Sequence, residues 1–85
     1  MEKVKKLVEL GVSIPNAIKQ ALGIPVGEFA VRYDIPQTTA SEVINGARRP
    51  SEKHLSAFIS ELGGTEEDWR DLLWRAGKPE SPSVA

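Results

Sequence analysis

Residues 26 to 45, VGEFAVRYDIPQTTASEVIN, restrict the possible folds more than any other stretch of this chain. Phe29, Ala30 and Tyr33 recur at helical spacing in the first half, and Ala40, Val43 and Ile44 do so in the second. Between the two runs stands Asp34-Ile35-Pro36. Aspartate tolerates the left-handed conformation that a sharp turn needs, Ile35 is placed to plug the angle between the helices, and proline is pre-organised for a first helical turn. The expectation is a helix-turn-helix: two short helices joined by a tight turn.

The outer face of the second helix carries Gln37, Thr38, Ser41, Glu42 and Asn45, which fall on one side at about 100° per residue, uninterrupted by an aliphatic side chain. The plain reading of such a face is the solvated side of an amphipathic helix. The segment immediately after the helix argues for more. In Gly46-Ala47-Arg48-Arg49-Pro50-Ser51 a glycine ends the helix, two arginines come next, and a proline and a serine start another helix.

The run INGARRPS after QTTASEV resembles the DNA-binding domain of the lambda-repressor and Cro family, also called the Xre-type helix-turn-helix, over about residues 14 to 62. The resemblance implies an all-α domain of five to six helices whose second motif helix enters the major groove of DNA, reads bases from its start and is followed by a loop that grips phosphates. Carried over to this chain, Gln37, Thr38 and Glu42 fall at base-reading positions with Ser41 nearby, and Asn45, Arg48 and Arg49 fall where the backbone is held. Three departures stand out. Asp34 occupies a position usually held by glycine, which keeps the turn but brings a negative charge near the groove. Val26 stands where glutamine is common, which removes a phosphate contact and a brace for Gln37. Ala40 is smaller than the branched residue often found there, so the two helices are expected to pack closer.

Composition sets the outer limits. The 85 residues, 40% hydrophobic and 27% charged, fit one small domain without a separate sensor domain. There is no cysteine and a single histidine, His54, so neither a disulfide framework nor a zinc centre is expected, and no metal or cofactor. The apolar runs are short and the N-terminus lacks the apolar core of a signal peptide, so the expected setting is the cytoplasm, at the nucleoid, with no membrane. The net charge of −1 counts against nucleic-acid binding, because such domains are usually basic. Its distribution softens the objection: residues 1 to 50 carry seven Lys/Arg against five Asp/Glu, and residues 51 to 85 carry four against seven. The acidic excess lies away from the proposed reading helix.

The remaining helices are read from periodicity and caps. Residues 2 to 10 put Val4, Leu7 and Val8 on one stripe, with Lys3, Lys5 and Lys6 elsewhere and Gly11 at the end: a packing helix or a lysine-rich phosphate arm. Ser13 caps a helix to about Leu22, with Pro15 in its first turn, Ile14, Ile18, Ala21 and Leu22 inward, and Gly23 as its stop. Gly27 weakens the next helix by about 1 kcal/mol relative to alanine, for no evident reason unless backbone must approach something closely there. Ser51 caps a helix bearing Leu55, Phe58, Ile59 and Leu62; His54 reads as an exposed residue and Lys53 as a phosphate contact. After Gly63-Gly64, Thr65 opens a last helix, residues 65 to 76, with a capping box and three carboxylates near its positive end. Trp69, Leu72, Leu73 and Ala76 face one way, whereas Trp74 points roughly 140° from Trp69. Trp74 therefore needs another partner: a second subunit, the underside of Val4 and Leu7, or solvent. Gly77 ends the domain, and residues 78 to 85 read as a loose tail.

These features define one leading reading and one alternative. The leading reading is a sequence-specific DNA-binding transcriptional regulator of Cro, repressor or controller type, from a phage, plasmid or bacterium, binding a palindromic operator as a homodimer with Trp74 in the interface. The alternative is a protein-interaction module on the same fold, such as an antitoxin or a bridging factor, which the near-neutral charge and Glu42 favour. An enzyme is not expected: the chain has no nucleophile-and-base constellation, no clustered metal ligands and no glycine-rich phosphate loop, and the five carboxylates from Glu61 to Asp71 read as caps and solubilising charge.

Overall fold

A computed structural model describes residues 1 to 76, so the expected tail lies outside the described residues, as does Gly77. Six α-helices succeed one another: α1 (Glu2–Glu9), α2 (Ile14–Leu22), α3 (Val26–Arg32), α4 (Gln37–Ile44), α5 (Glu52–Leu62) and α6 (Glu66–Ala76). None is long and apolar enough to cross a membrane. The helix α2 occupies the centre, packing against α1, α4, α5 and α6, while α3 packs on α4 and α5 on α6.

The helix ends show why the elements begin and stop where they do. Ser13 accepts from the Asn16 N–H at 3.4 Å, and Gly23 closes α2 in the left-handed region at φ 70°. α1 ends one residue before the expected Leu10, which serves as its C-cap ahead of Gly11. Pro36 stands at the N-cap of α4 instead of within its first turn, and Pro25 stands at the N-cap of α3. A full capping box forms at the start of α5 and not of α6. The Ser51 hydroxyl accepts from the His54 N–H, and the His54 ring accepts from the Ser51 N–H at 3.0 Å. Burial first, then the nearby charges of Arg48 and Lys53, hold the His54 pKa below its ordinary value. That favours the neutral imidazole the cap requires. His54 is therefore a half-buried cap, which corrects the expectation of a merely exposed residue. At α6 the Thr65 hydroxyl accepts from Asp68 N–H at 3.1 Å, while the Asp68 carboxylate lies 4.0 Å from Lys5 Nζ of α1.

The core is apolar throughout the described residues, with Val4, Ile18, Phe29, Val43, Ile44, Leu55, Phe58 and Trp69 fully buried. Three rings form a column through it. Phe29 of α3 and Phe58 of α5 stack at 5.1 Å between centroids, and Phe58 and Trp69 of α6 at 4.8 Å. The Trp69 indole N–H donates to the Gly63 carbonyl at 2.7 Å, so the one polar atom of the column is satisfied. Gly64, at φ 93°, allows this turn to close: a Cβ there would lie 2.8 Å from Met1 Cβ and 3.2 Å from that indole nitrogen. The chain's amino terminus donates to the Leu62 carbonyl beside it. α1 is thus a packing helix against α2, its Val4 fully buried. Trp74 is 54% exposed, so it is not a core residue buried beneath Val4 and Leu7.

Candidate nucleic-acid interface

The pair α3 and α4 is positioned by its turn and by a brace at its rear. Asp34 adopts φ 58°, the single non-glycine residue at positive φ among the described residues, and Ile35 buries its side chain between the helices as expected. The Ile35 N–H donates to the Ala30 carbonyl at 2.8 Å, closing the end of α3. The brace is Glu61. One carboxylate oxygen accepts from the Tyr33 hydroxyl at 2.6 Å and the other from Arg32 at 2.8 Å, tying the end of α3 to the end of α5. Bonding to Glu61 raises the Tyr33 pKa, because the hydroxyl gives up its proton less readily beside a carboxylate. Glu61 is therefore an inter-helix tie and not the solubilising charge its neighbours suggested.

With α3 fixed, α4 turns Ala40, Val43 and Ile44 into the core and the expected polar residues outward. Gln37, Thr38 and Asn45 are exposed, and Ser41 and Glu42 are half-buried. Gly46, at φ 79°, redirects the chain so that Ala47 donates to the Glu42 carbonyl at 2.8 Å and Arg48 folds back toward α4. Arg48 thereby shares the surface of α4 with Glu42, and Lys53 reaches the turn that leads into that helix.

Two of the three candidate phosphate-binding cations are engaged within the chain. Arg48 Nε donates to a Glu42 carboxylate oxygen at 2.8 Å. Lys53 Nζ donates to the Asp34 backbone carbonyl at 2.7 Å and lies 3.8 Å from its carboxylate. Lys53 therefore clamps the αL turn, a role that no local sequence pattern announces beside its expected phosphate contact. Asp34 supplies both groups that Lys53 meets, and only the carboxylate is one that a glycine would lack. Arg49 is exposed and makes no ion pair among the described residues. Arg48 is thus paired with Glu42 and Lys53 with Asp34, so two of these cations have their charge offset within the chain.

Gly27 has its explanation here. A Cβ on it would lie 3.1 Å from both Cδ and Oε1 of Gln37 and 3.2 Å from Nε2, so the Gln37 amide rests on the first turn of α3. The signal available in the sequence was an unexplained glycine inside a helix. Comparison with protein-family models, with curated proteins and with solved structures found no match.

Proposed function

We propose that this chain is a lambda-repressor-like, Xre-type helix-turn-helix regulator that binds a specific DNA sequence through the outer face of α4. The observation that carries the reading is the polar, uninterrupted face of Gln37, Thr38, Ser41, Glu42 and Asn45 on the short helix α4, with Arg48 folded back onto Glu42 and Arg49 exposed next to it in the chain. Gln37 and Thr38 read base edges, glutamine matching adenine through two hydrogen bonds. Glu42 accepts from a cytosine amino group or rejects wrong registers, and Asn45, Arg48 and Arg49 position the phosphates. The near-neutral net charge and the pairing of Arg48 and Lys53 with carboxylates leave little non-specific attraction, so selectivity falls to these contacts. The same neutrality favours a second reading, in which the α4 face binds a protein. Exposure to a randomised DNA pool, followed by sequencing of what is retained, separates the two: enrichment of an inverted repeat is expected, and no enrichment together with tight retention of a protein partner would replace DNA with that partner.

A single reading helix covers only a few base pairs, whereas two copies about one DNA turn apart read a palindrome. The homodimer we propose joins through α6, where Trp74 presents a large, half-exposed aromatic surface of the kind in which interfaces concentrate their energy. Trp74→Glu should leave the helical signal and melting temperature intact while giving a monomer by sedimentation and abolishing cooperative binding to the palindrome. A variant that stays folded and dimeric moves the interface elsewhere, to α1 first.

A further inference from the structure

We propose that Gly27 is a positioning residue for Gln37: by leaving the first turn of α3 bare, it provides the seat on which the Gln37 amide rests and so sets the direction from which that amide meets a base. The inference rests on the DNA-reading function proposed above and deepens it.

The usual reason for a glycine is absent here. Gly27 is not among the glycines at positive φ, and it lies within α3, where its lack of a side chain works against the helix. What it provides is space for one particular group. The three atoms nearest to a Cβ at this position all belong to the amide end of Gln37, at 3.1 to 3.2 Å, inside the 3.5 to 4.0 Å of ordinary carbon contact. A methyl group would push that amide off the helix, and the amide, as the far end of a flexible and exposed side chain, would yield before the backbone did. Gln37 opens α4, and α3 packs directly on α4, so the seat belongs to one helix and the reader to the other. An exposed glutamine without a seat samples many rotamers, whereas bidentate reading of a base needs both amide atoms at hydrogen-bonding distance together.

The test uses the full chain and two independent readouts. In the protein alone, nuclear Overhauser contacts between the Gln37 side-chain NH₂ and the Gly27 Hα protons are expected, and in Gly27→Ala the amide resonances should shift and average toward those of a solvated glutamine. The melting temperature of Gly27→Ala should be unchanged or higher, because the helix gains a better helix former. On DNA, Gly27→Ala should alter preference several-fold at the same base position that Gln37→Ala relaxes, and Gln37→Ala should add little in the Gly27→Ala background, as expected of coupled residues. Absence of the Gln37 to Gly27 contact in the wild-type protein overturns the proposal. So does a Gly27→Ala variant that keeps wild-type base preference, or one that melts lower. If the wild-type protein selects no DNA sequence, the DNA reading fails and takes the base-reading role with it, and an intact contact in the free protein identifies that failure as one of function and not of the seat.

Discussion

Phe58→Ala should cost about 3 to 5 kcal/mol of stability, enough to leave the domain largely unfolded under conditions where the wild type is folded. A chain of this length holds on the order of 4 to 13 kcal/mol in total, at roughly 0.05 to 0.15 kcal/mol per residue. Phe58 is the middle ring of the column, with Phe29 at 5.1 Å on one side and Trp69 at 4.8 Å on the other. Removing it strips both neighbours of a stacking partner, each pair adding about 0.5 to 1.5 kcal/mol beyond the area it buries. It also opens a cavity between α3 and the α5–α6 pair. The helix α4 is held partly through α3, so loss of the column loosens the proposed DNA surface without touching it. Urea unfolding followed by circular dichroism measures the effect, and Phe58→Leu, which fills part of the gap, should lose less. A loss below about 1 kcal/mol for Phe58→Ala would mean that the column is not a main support of the fold.

Local features of this fold were legible because they are encoded locally. Ser13, Ser51 and Thr65 mark helix starts by their hydroxyls, and Asp34 marks the turn by its tolerance of positive φ. The apolar residues at spacings of three and four fixed which side of α4 faces outward, and hence where Gln37, Thr38 and Asn45 stand. Periodicity says nothing about which polar group meets which across the fold. Tyr33 and Glu61 are 28 residues apart, Asp34 and Lys53 are 19 apart, and no local pattern joins them. Glu42 and Arg48 are only six apart, yet their meeting depends on the path through Gly46, outside any helical register. Trp74 shows both sides of the limit. Its angular offset from Trp69 separated it from the core stripe, and its 54% exposure agrees, but helical phase carries no information about a second molecule.

The ion pair between Glu42 and Arg48 changes what loss of the arginines should do. Arg48→Ala with Arg49→Ala is expected to weaken operator and unrelated DNA alike and to flatten the log-log dependence of affinity on salt by about 1.8, at roughly 0.9 per phosphate contact. Over a fourfold change in salt, that slope alone corresponds to about a 12-fold difference in affinity. The figure counts Arg48 as a phosphate ligand although it begins bound to Glu42. On the proposed DNA reading Arg48 exchanges Glu42 for a phosphate: an exposed pair of this kind is worth only about 0 to 1 kcal/mol, and its loss is offset by the phosphate contact with the counterion that contact releases. In that proposed complex Glu42 is left uncompensated at the groove, and its acceptance of a cytosine amino group becomes the contact expected to decide whether a sequence is tolerated. Glu42→Gln isolates this step. With no carboxylate to release, Arg48 is available from the outset, so affinity for unrelated DNA should rise and discrimination at one base position should fall, while the salt slope stays at the wild-type value. A double arginine variant with an unchanged salt slope would remove both residues from the phosphate contacts. A slope flattened by only about 0.9 would leave Arg49 as the phosphate ligand and keep Arg48 on Glu42 in the complex.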